Sequence, residues 1–296
     1  MNICSPTDHS ITVQDGLRLH VREWGPRGSQ ALPVMCLPGL TRTTADFDVL
    51  APALAGSVPP PRRVLALDSR GRGKSDYDRN PANYNLAVEL GDLLAVLTAL
   101  GIGKAIFVGT SRGGILTMLL GPVRPTAIAA CVLNDTGPVI EPAGLARIKS
   151  YVGKMPQPAS FEAAAENLAR LFGTQFPRLT DSDWLAFAHR AFKQEGERIV
   201  PNYDPQLATI LEDVDVEHPP RPLWKEFDSL ARRPMMVIRG SNSDLLSAAT
   251  VAAMRERRLQ LEVLAVPDQG HAPLLAEPES IRKIAEFVRA CDSYAD

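Results

Sequence analysis

Cysteine is scarce and scattered in this chain of 296 residues: there are 4, Cys4, Cys36, Cys131 and Cys291, with no Cys-x-x-Cys spacing. That argues against a zinc ribbon or a dense disulfide framework and fits buried or free thiols in a reducing compartment. An excess of charge of one sign is also missing. The 32 Lys and Arg against 34 Asp and Glu leave a formal net charge of −2. There is no basic stripe and no run of like charges, so nucleic acid is not an expected partner. Long hydrophobic runs are absent too. The apolar stretches are strand-length or amphipathic, so no transmembrane helix and no membrane partner are expected. The segment Met1-Asn2-Ile3-Cys4-Ser5-Pro6 lacks a basic region followed by an apolar one, so no secretory signal is expected and the expected location is cytoplasmic. No internal repeat or low-complexity segment stands out.

What the chain does have is alternation. Residues 10–24 read as two strands joined at Asp15-Gly16, with Leu17, Leu19 and Val21 alternating with Arg18, His20 and Arg22. This is the pattern of a hairpin at a sheet edge. Short apolar runs follow at 34–37, 64–67, 105–108 and 128–133, of the kind buried on both faces of a sheet. Helical spacing separates them, as at Leu86, Leu90, Leu93, Leu97 and Leu100, with Gly101 as the stop. That order predicts a mostly parallel sheet with helices on both faces. It breaks between about Pro138 and Asp228, where no buried strand is evident. There 160–172 and 180–195 read as helices, and prolines cluster at both margins, including Pro138, Pro142, Pro219, Pro220 and Pro222. From Pro234 the pattern resumes, with strands at 235–239 and 261–266 and helices at 247–257 and 277–290. The expected organisation is therefore a core of 1–137 and 229–296 with a helical cap inserted at 138–228.

In open parallel sheets, ligands bind outside the carboxyl ends of the strands, so the polar residues there are the candidates for chemistry. One such stretch is Gly109-Thr110-Ser111-Arg112-Gly113, between an apolar strand and a helical run. A serine at a sharp strand-to-helix turn needs glycine on both sides, and the turn lifts its hydroxyl clear of the sheet. Asp244 follows the strand at 235–239, and His271, in Gly270-His271, follows the strand at 261–266. The chain order is Ser, Asp, His.

With these residues in view, the sequence resembles the α/β-hydrolase-fold family. Gly109-Thr110-Ser111-Arg112-Gly113 matches its nucleophile motif, and Asp244 and Gly270-His271 match its acid and histidine positions. Asp68-Ser69-Arg70-Gly71-Arg72-Gly73-Lys74-Ser75 is similar to a segment common in its cap-bearing bacterial members. The resemblance covers nearly the whole chain and implies an eight-stranded, mostly parallel α/β-hydrolase sheet. It implies a catalytic set of Ser111, Asp244 and His271, with Asp135 as the alternative acid, since some relatives place theirs after the earlier strand. It also implies backbone oxyanion donors at Leu40 and Arg112. Many relatives have His-Gly where this chain has Pro38-Gly39; the Leu40 donor survives that change.

The chemistry fits these residue types. A serine hydroxyl needs a base, histidine can take and return the proton, and a carboxylate orients the imidazole. The expected activity is cleavage of a small to medium carboxylic ester or lactone through an acyl-enzyme at Ser111. The alternatives are a carbon–carbon bond hydrolase of ring-fission products and a non-catalytic binding protein of the same fold. No metal or organic cofactor is expected, and the partner is a small-molecule substrate. The oligomeric state stays open, a homodimer among the alternatives. The stretch 138–228 holds 10 of the 17 aromatic residues, so an apolar pocket beneath the cap is expected, with Trp184, Phe187 and Phe192 as candidate lining residues. Asp68 is expected to brace the loop after its strand, and Arg70 and Arg112 to form ion pairs. Gly73-Lys74-Ser75 fails as a phosphate loop because Asp68 occupies the first glycine position. His189 and His218 lack partner spacing.

Overall fold

The alternation at 10–24 produces what it predicts. In a computed structural model, which describes residues 5–56, 61–212, 215 and 220–294, strands β1 (Thr7–Thr12) and β2 (Arg18–Trp24) pair antiparallel. Gly16 turns between them at φ +87°, a left-handed value that glycine reaches without strain. Cys4, His218 and Pro219 lie outside the described residues.

The alternating series then runs β3 (Val34–Leu37), α1 (Leu50–Gly56), β4 (Val64–Leu67), α2 (Leu86–Ala99), β5 (Ala105–Thr110), α3 (Arg112–Val123) and β6 (Ile128–Asn134). Between β6 and the next strand of the main sheet come α4 (Pro142–Tyr151), α5 (Phe161–Phe172), α6 (Asp181–Ala191), β7 (Phe192–Glu195), β8 (Arg198–Pro201), α7 (Thr209–Glu212) and α8 (Trp224–Ser229). The series closes with β9 (Met235–Gly240), α9 (Ala248–Arg257), β10 (Glu262–Val266) and α10 (Pro278–Ala290). The main sheet has eight strands in the order β1-β2-β4-β3-β5-β6-β9-β10. β2 is antiparallel to both its neighbours, and every pairing from β4 to β10 is parallel.

Strand periodicity splits the core in two. Met35, Leu37, Phe107 and Leu133 point to one face, against Leu93 and Leu97 of α2 and Leu116 of α3. Val34, Cys36, Val108 and Val132 point to the other, against Leu50 and Leu54 of α1 and Ile284 and Phe287 of α10. Each such fully buried side chain contributes roughly 1.5–3 kcal/mol. The thiols of Cys36, Cys131 and Cys291 are buried and unpaired, and burial pushes that of Cys131 up to about 12.

Helix starts follow side-chain capping. The side chains of Asn85, Ser160, Thr180 and Ser247 accept backbone N–H groups at the starts of α2, α5, α6 and α9. Two features depart from expectation. The amphipathic spacing of α6 carries on through Phe192, which predicts helix as far as Glu195. The chain instead leaves the helix at Ala191 and forms the hairpin β7–β8, turning at Gly196 with φ +60°. Lys193, Gln194 and Glu195 find partners across that hairpin, and Asn202 N–H closes its base on Ala191 C=O at 2.8 Å. At the other margin, Phe227 of α8 is fully buried in the core shared with α3, so the chain rejoins the main body before position 229.

Candidate active site

Ser111 sits between β5 and α3 at φ 51° and ψ −114°, strained for a residue with a side chain. The flanking glycines allow it. A Cβ on Gly109 would lie 2.6 Å from the Gly113 carbonyl carbon, and one on Gly113 would strike the Leu37 carbonyl. The Ser111 N–H donates to Asn134 C=O at 2.9 Å, tying the turn to the end of β6.

His271, in the loop after β10, brings its Nε2 to 2.8 Å from Ser111 Oγ. Its Nδ1 lies 2.8 Å from Oδ2 of Asp135, the residue that follows β6. Asp135 is fully buried and, like Ser111, has φ 51°. Gly240 N–H donates to its Oδ1 at 2.8 Å and Ser243 Oγ to its Oδ2 at 2.5 Å. Ser243 Oγ in turn accepts the N–H groups of Leu245 and Leu246. Two further side chains hold the histidine loop. Asn134 Nδ2 donates to Pro273 C=O at 2.9 Å and to Thr110 Oγ1 at 3.1 Å. Gln175, just beyond α5, accepts the His271 N–H on Oε1 at 3.2 Å. The polar Asn134-Asp135 pair at the end of a wholly apolar strand was a signal for both of those residues; nothing in the sequence pointed to Gln175.

Asp244, expected as the acid, does not meet the His271 ring, which is taken by Asp135. Its carboxylate takes both Nε and Nη2 of Arg147 on α4, at 2.6 and 2.8 Å. Gly144 N–H also donates to the Asp244 carbonyl at 3.0 Å. The physical reason is local. The tight turn after β9 directs the Ser243 hydroxyl inward onto Asp135, and the next residue turns the other way, under α4. Burial alone would raise the Asp244 pKa; the Arg147 guanidinium, with smaller help from the Gln175 side chain and His271, holds the carboxyl below the usual carboxylate range.

The two amides expected to face a developing oxyanion, those of Leu40 and Arg112, have no hydrogen-bond acceptor among the described residues. Their residues are cross-braced from behind. Arg72, almost fully buried, donates from Nε to Leu40 C=O at 2.8 Å and from Nη1 to Glu89 Oε1 at 2.7 Å. The other oxygen of Glu89 accepts Arg112 Nε at 2.7 Å. Burial would raise the Glu89 pKa, but the two guanidiniums hold it below the usual range. One buried carboxylate thus ties the loop after β3 to the start of α3. Its signal in the sequence was two carboxylates, Glu89 and Asp92, on the apolar face of α2. Arg70 is likewise consumed in ion pairs, with Asp92, Asp15 and Asp78. Asp68 braces its loop by accepting the N–H groups of Thr44 and Lys74.

Ser111, His271 and Leu40 line one cavity of about 110 Å³, roofed by residues of the segment between β6 and β9. Phe187 and Phe192 are in its wall. Trp184 is not; it stacks behind Phe187, with ring centroids 5.9 Å apart and planes 10° from parallel. Tyr151, Phe172 and Phe176 take wall positions, and so do two arginines, Arg42 and Arg190.

Known proteins share this architecture. A family profile described as the alpha/beta hydrolase family matches residues 34–284. A 3-hydroxybutyrate-oligomer hydrolase of Cupriavidus necator is 32% identical over 91% of this chain and 92% of its own. A 2-(acetamidomethylene)succinate hydrolase of Mesorhizobium japonicum is 28% identical over 96% of this chain and 97% of its own. The crystal structure of an alpha/beta hydrolase from Novosphingobium aromaticivorans superposes with a TM-score of 0.89 at 42% identity, covering 96% of this chain and 98% of that one. A nucleophile-type turn after β5, a histidine after the last strand, and a match that runs through most of the sheet lead to the same conclusion: this chain belongs to the alpha/beta hydrolase family.

Proposed function

We propose that this hydrolase cleaves small to medium carboxylic esters through an acyl-enzyme on Ser111, with His271 as the base and Asp135 as the carboxylate that orients it. The observation that carries the reading is the unbroken line from Ser111 Oγ through the His271 ring to the buried Asp135, two contacts of 2.8 Å each, opening on a cavity. In the first half-reaction Oγ attacks the ester carbonyl as its proton passes to Nε2. The carbonyl oxygen, now negative, faces the N–H groups of Leu40 and Arg112, which no acceptor among the described residues occupies. The imidazolium formed is held by Asp135 and gives its proton to the departing alkoxide, releasing the alcohol. Water then repeats the sequence on the acyl-enzyme, losing its proton to His271 and returning Ser111 and a carboxylic acid. The steps as written use these side chains, two backbone amides and water. The similarity to a hydrolase of hydroxybutyrate oligomers, over nine-tenths of both chains, supports an oligoester of a short hydroxy acid as the substrate class.

A fluorophosphonate probe tests the nucleophile. The wild type is expected to be labelled and to hydrolyse p-nitrophenyl butyrate, and Ser111→Ala to lose labelling and about 10⁴-fold or more in rate. Equal ester hydrolysis by Ser111→Ala would overturn the mechanism. Turnover of a vinylogous diketone acid in the same screen, with none of any ester, would change the reaction class to carbon–carbon cleavage.

A further inference from the structure

Of the two arginines in the cavity wall, one is held by a carboxylate at hydrogen-bond distance and the other is not. Arg42, two residues beyond Leu40, makes a two-pronged pair with Asp46, Nε to Oδ2 at 2.6 Å and Nη2 to Oδ1 at 2.7 Å. Arg190, in the last turn of α6, approaches the same carboxylate only to 3.7 Å and makes no hydrogen bond among the described residues. Both guanidiniums lie over the Phe187 ring, at 4.1 and 5.8 Å from its centre. Asp48, the next nearest acid, is turned to Arg22, and Asp183 caps the start of α6. Two cations therefore share one anion inside the wall that also carries Ser111 and His271. Burial, and then the neighbouring Arg42, pull the Arg190 pKa below the usual arginine value despite Asp46.

We infer that Arg190, supported by Arg42, binds a carboxylate of the substrate, so that the preferred esters are ester-acids with a free carboxylate rather than neutral esters. A planar fork of N–H donors fits a carboxylate. The cavity, of about 110 Å³, also contains the nucleophile, so one molecule can present an ester to Ser111 and a carboxylate to Arg190. A linear oligoester of a hydroxy acid supplies such a group, since one end carries a free carboxyl. The inference rests on Ser111 being an ester-cleaving nucleophile and adds to it the charge of the substrate.

The experiment compares a 3-hydroxybutyrate dimer with its carboxyl methyl ester. Both are used as substrates and as competitors of p-nitrophenyl butyrate hydrolysis, with the intact wild-type chain, Arg190→Gln and Arg190→Lys. The wild type is expected to prefer the free acid by about 30-fold in kcat/KM, mostly through KM, and to be inhibited by it at correspondingly lower concentration. Arg190→Gln should bring the ratio to near one, and Arg190→Lys, which keeps the charge without the fork, should retain part of it. A ratio between two substrates does not move if Arg190 is merely structural, and the wild-type competition measurement needs no variant to fold. A wild type that hydrolyses p-nitrophenyl butyrate but binds acid and methyl ester equally overturns the carboxylate site and leaves the hydrolase standing. A wild type with neither labelling nor ester turnover overturns both.

Discussion

The turns after β6 and after β9 each deliver an aspartate to the same rim of the sheet, and the two do different things. Asp135 is sealed, receives Gly240 N–H and Ser243 Oγ, and meets the His271 ring. Asp244 is partly exposed and clamps Arg147. Residue type and position relative to a strand are the same, so neither distinguishes them. What does is the direction in which each turn points its side chain and which donors are waiting there. The β9 turn serves the β6 aspartate by lending it a serine, and uses its own aspartate to hold down α4.

The sharpest way to break this comparison is to remove one charge at a time. Asp135→Asn is expected to lower kcat about 10³- to 10⁴-fold, the scale of losing a triad carboxylate, whereas Asp244→Asn should cost less than about 10-fold. Steady-state kinetics on p-nitrophenyl butyrate decide it; the reverse order would return the role to Asp244.

A smaller effect separates the two residues of the β9 turn. Ser243→Ala withdraws one donor from Asp135 and leaves the Arg147–Asp244 pair untouched. A drop of about 10-fold in kcat is expected, corresponding to roughly 1.4 kcal/mol. No change in kcat would show that the hydroxyl only shapes the turn.

The smallest effect belongs to the clamp. Arg147→Met should cost on the order of 1 kcal/mol, a few degrees in Tm, because the pair is only partly buried. The sign with pH follows from the depressed Asp244 carboxyl. Its contribution is complete above the ordinary carboxylate pKa and is lost as pH falls through the lower folded value. The wild-type advantage over Arg147→Met should therefore shrink on acidification, read by thermal melts at pH 7 and at progressively lower pH. An advantage unchanged in acid would assign the stability to packing on Phe172 instead, whose ring centre lies 5.9 Å from the Arg147 guanidinium carbon.

Much of this was legible beforehand. Ser111 could be found because a strained turn leaves a mark, glycine at 109 and 113 between an apolar run and a helix. His271 could be found because it follows the last strand. The starts of α5, α6 and α9 were written in Ser160, Thr180 and Ser247. Other features were not legible. The β7–β8 hairpin hid because Phe192 continued the helical spacing, and the cross-strand pairing that satisfies its backbone forms only once both strands are in place. Trp184 looked like a wall residue because any apolar residue on an amphipathic face does; whether it meets ligand or another ring depends on what packs in front, here Phe187. Nothing in the sequence set Arg190 apart; its place in the cavity wall follows from where α6 packs.

The sequence by itself determined the alternating strand and helix order, the turn that raises Ser111 and the histidine that follows the last strand. These depend on local periodicity and on backbone conformations that few residues tolerate. Only the tertiary structure decided which aspartate faces the imidazole, which aromatics face the cavity and which two arginines share one carboxylate there. Those outcomes are set by contacts between residues far apart in the chain, 136 positions in the case of Asp135 and His271, and side-chain identity carries no record of what will be brought alongside.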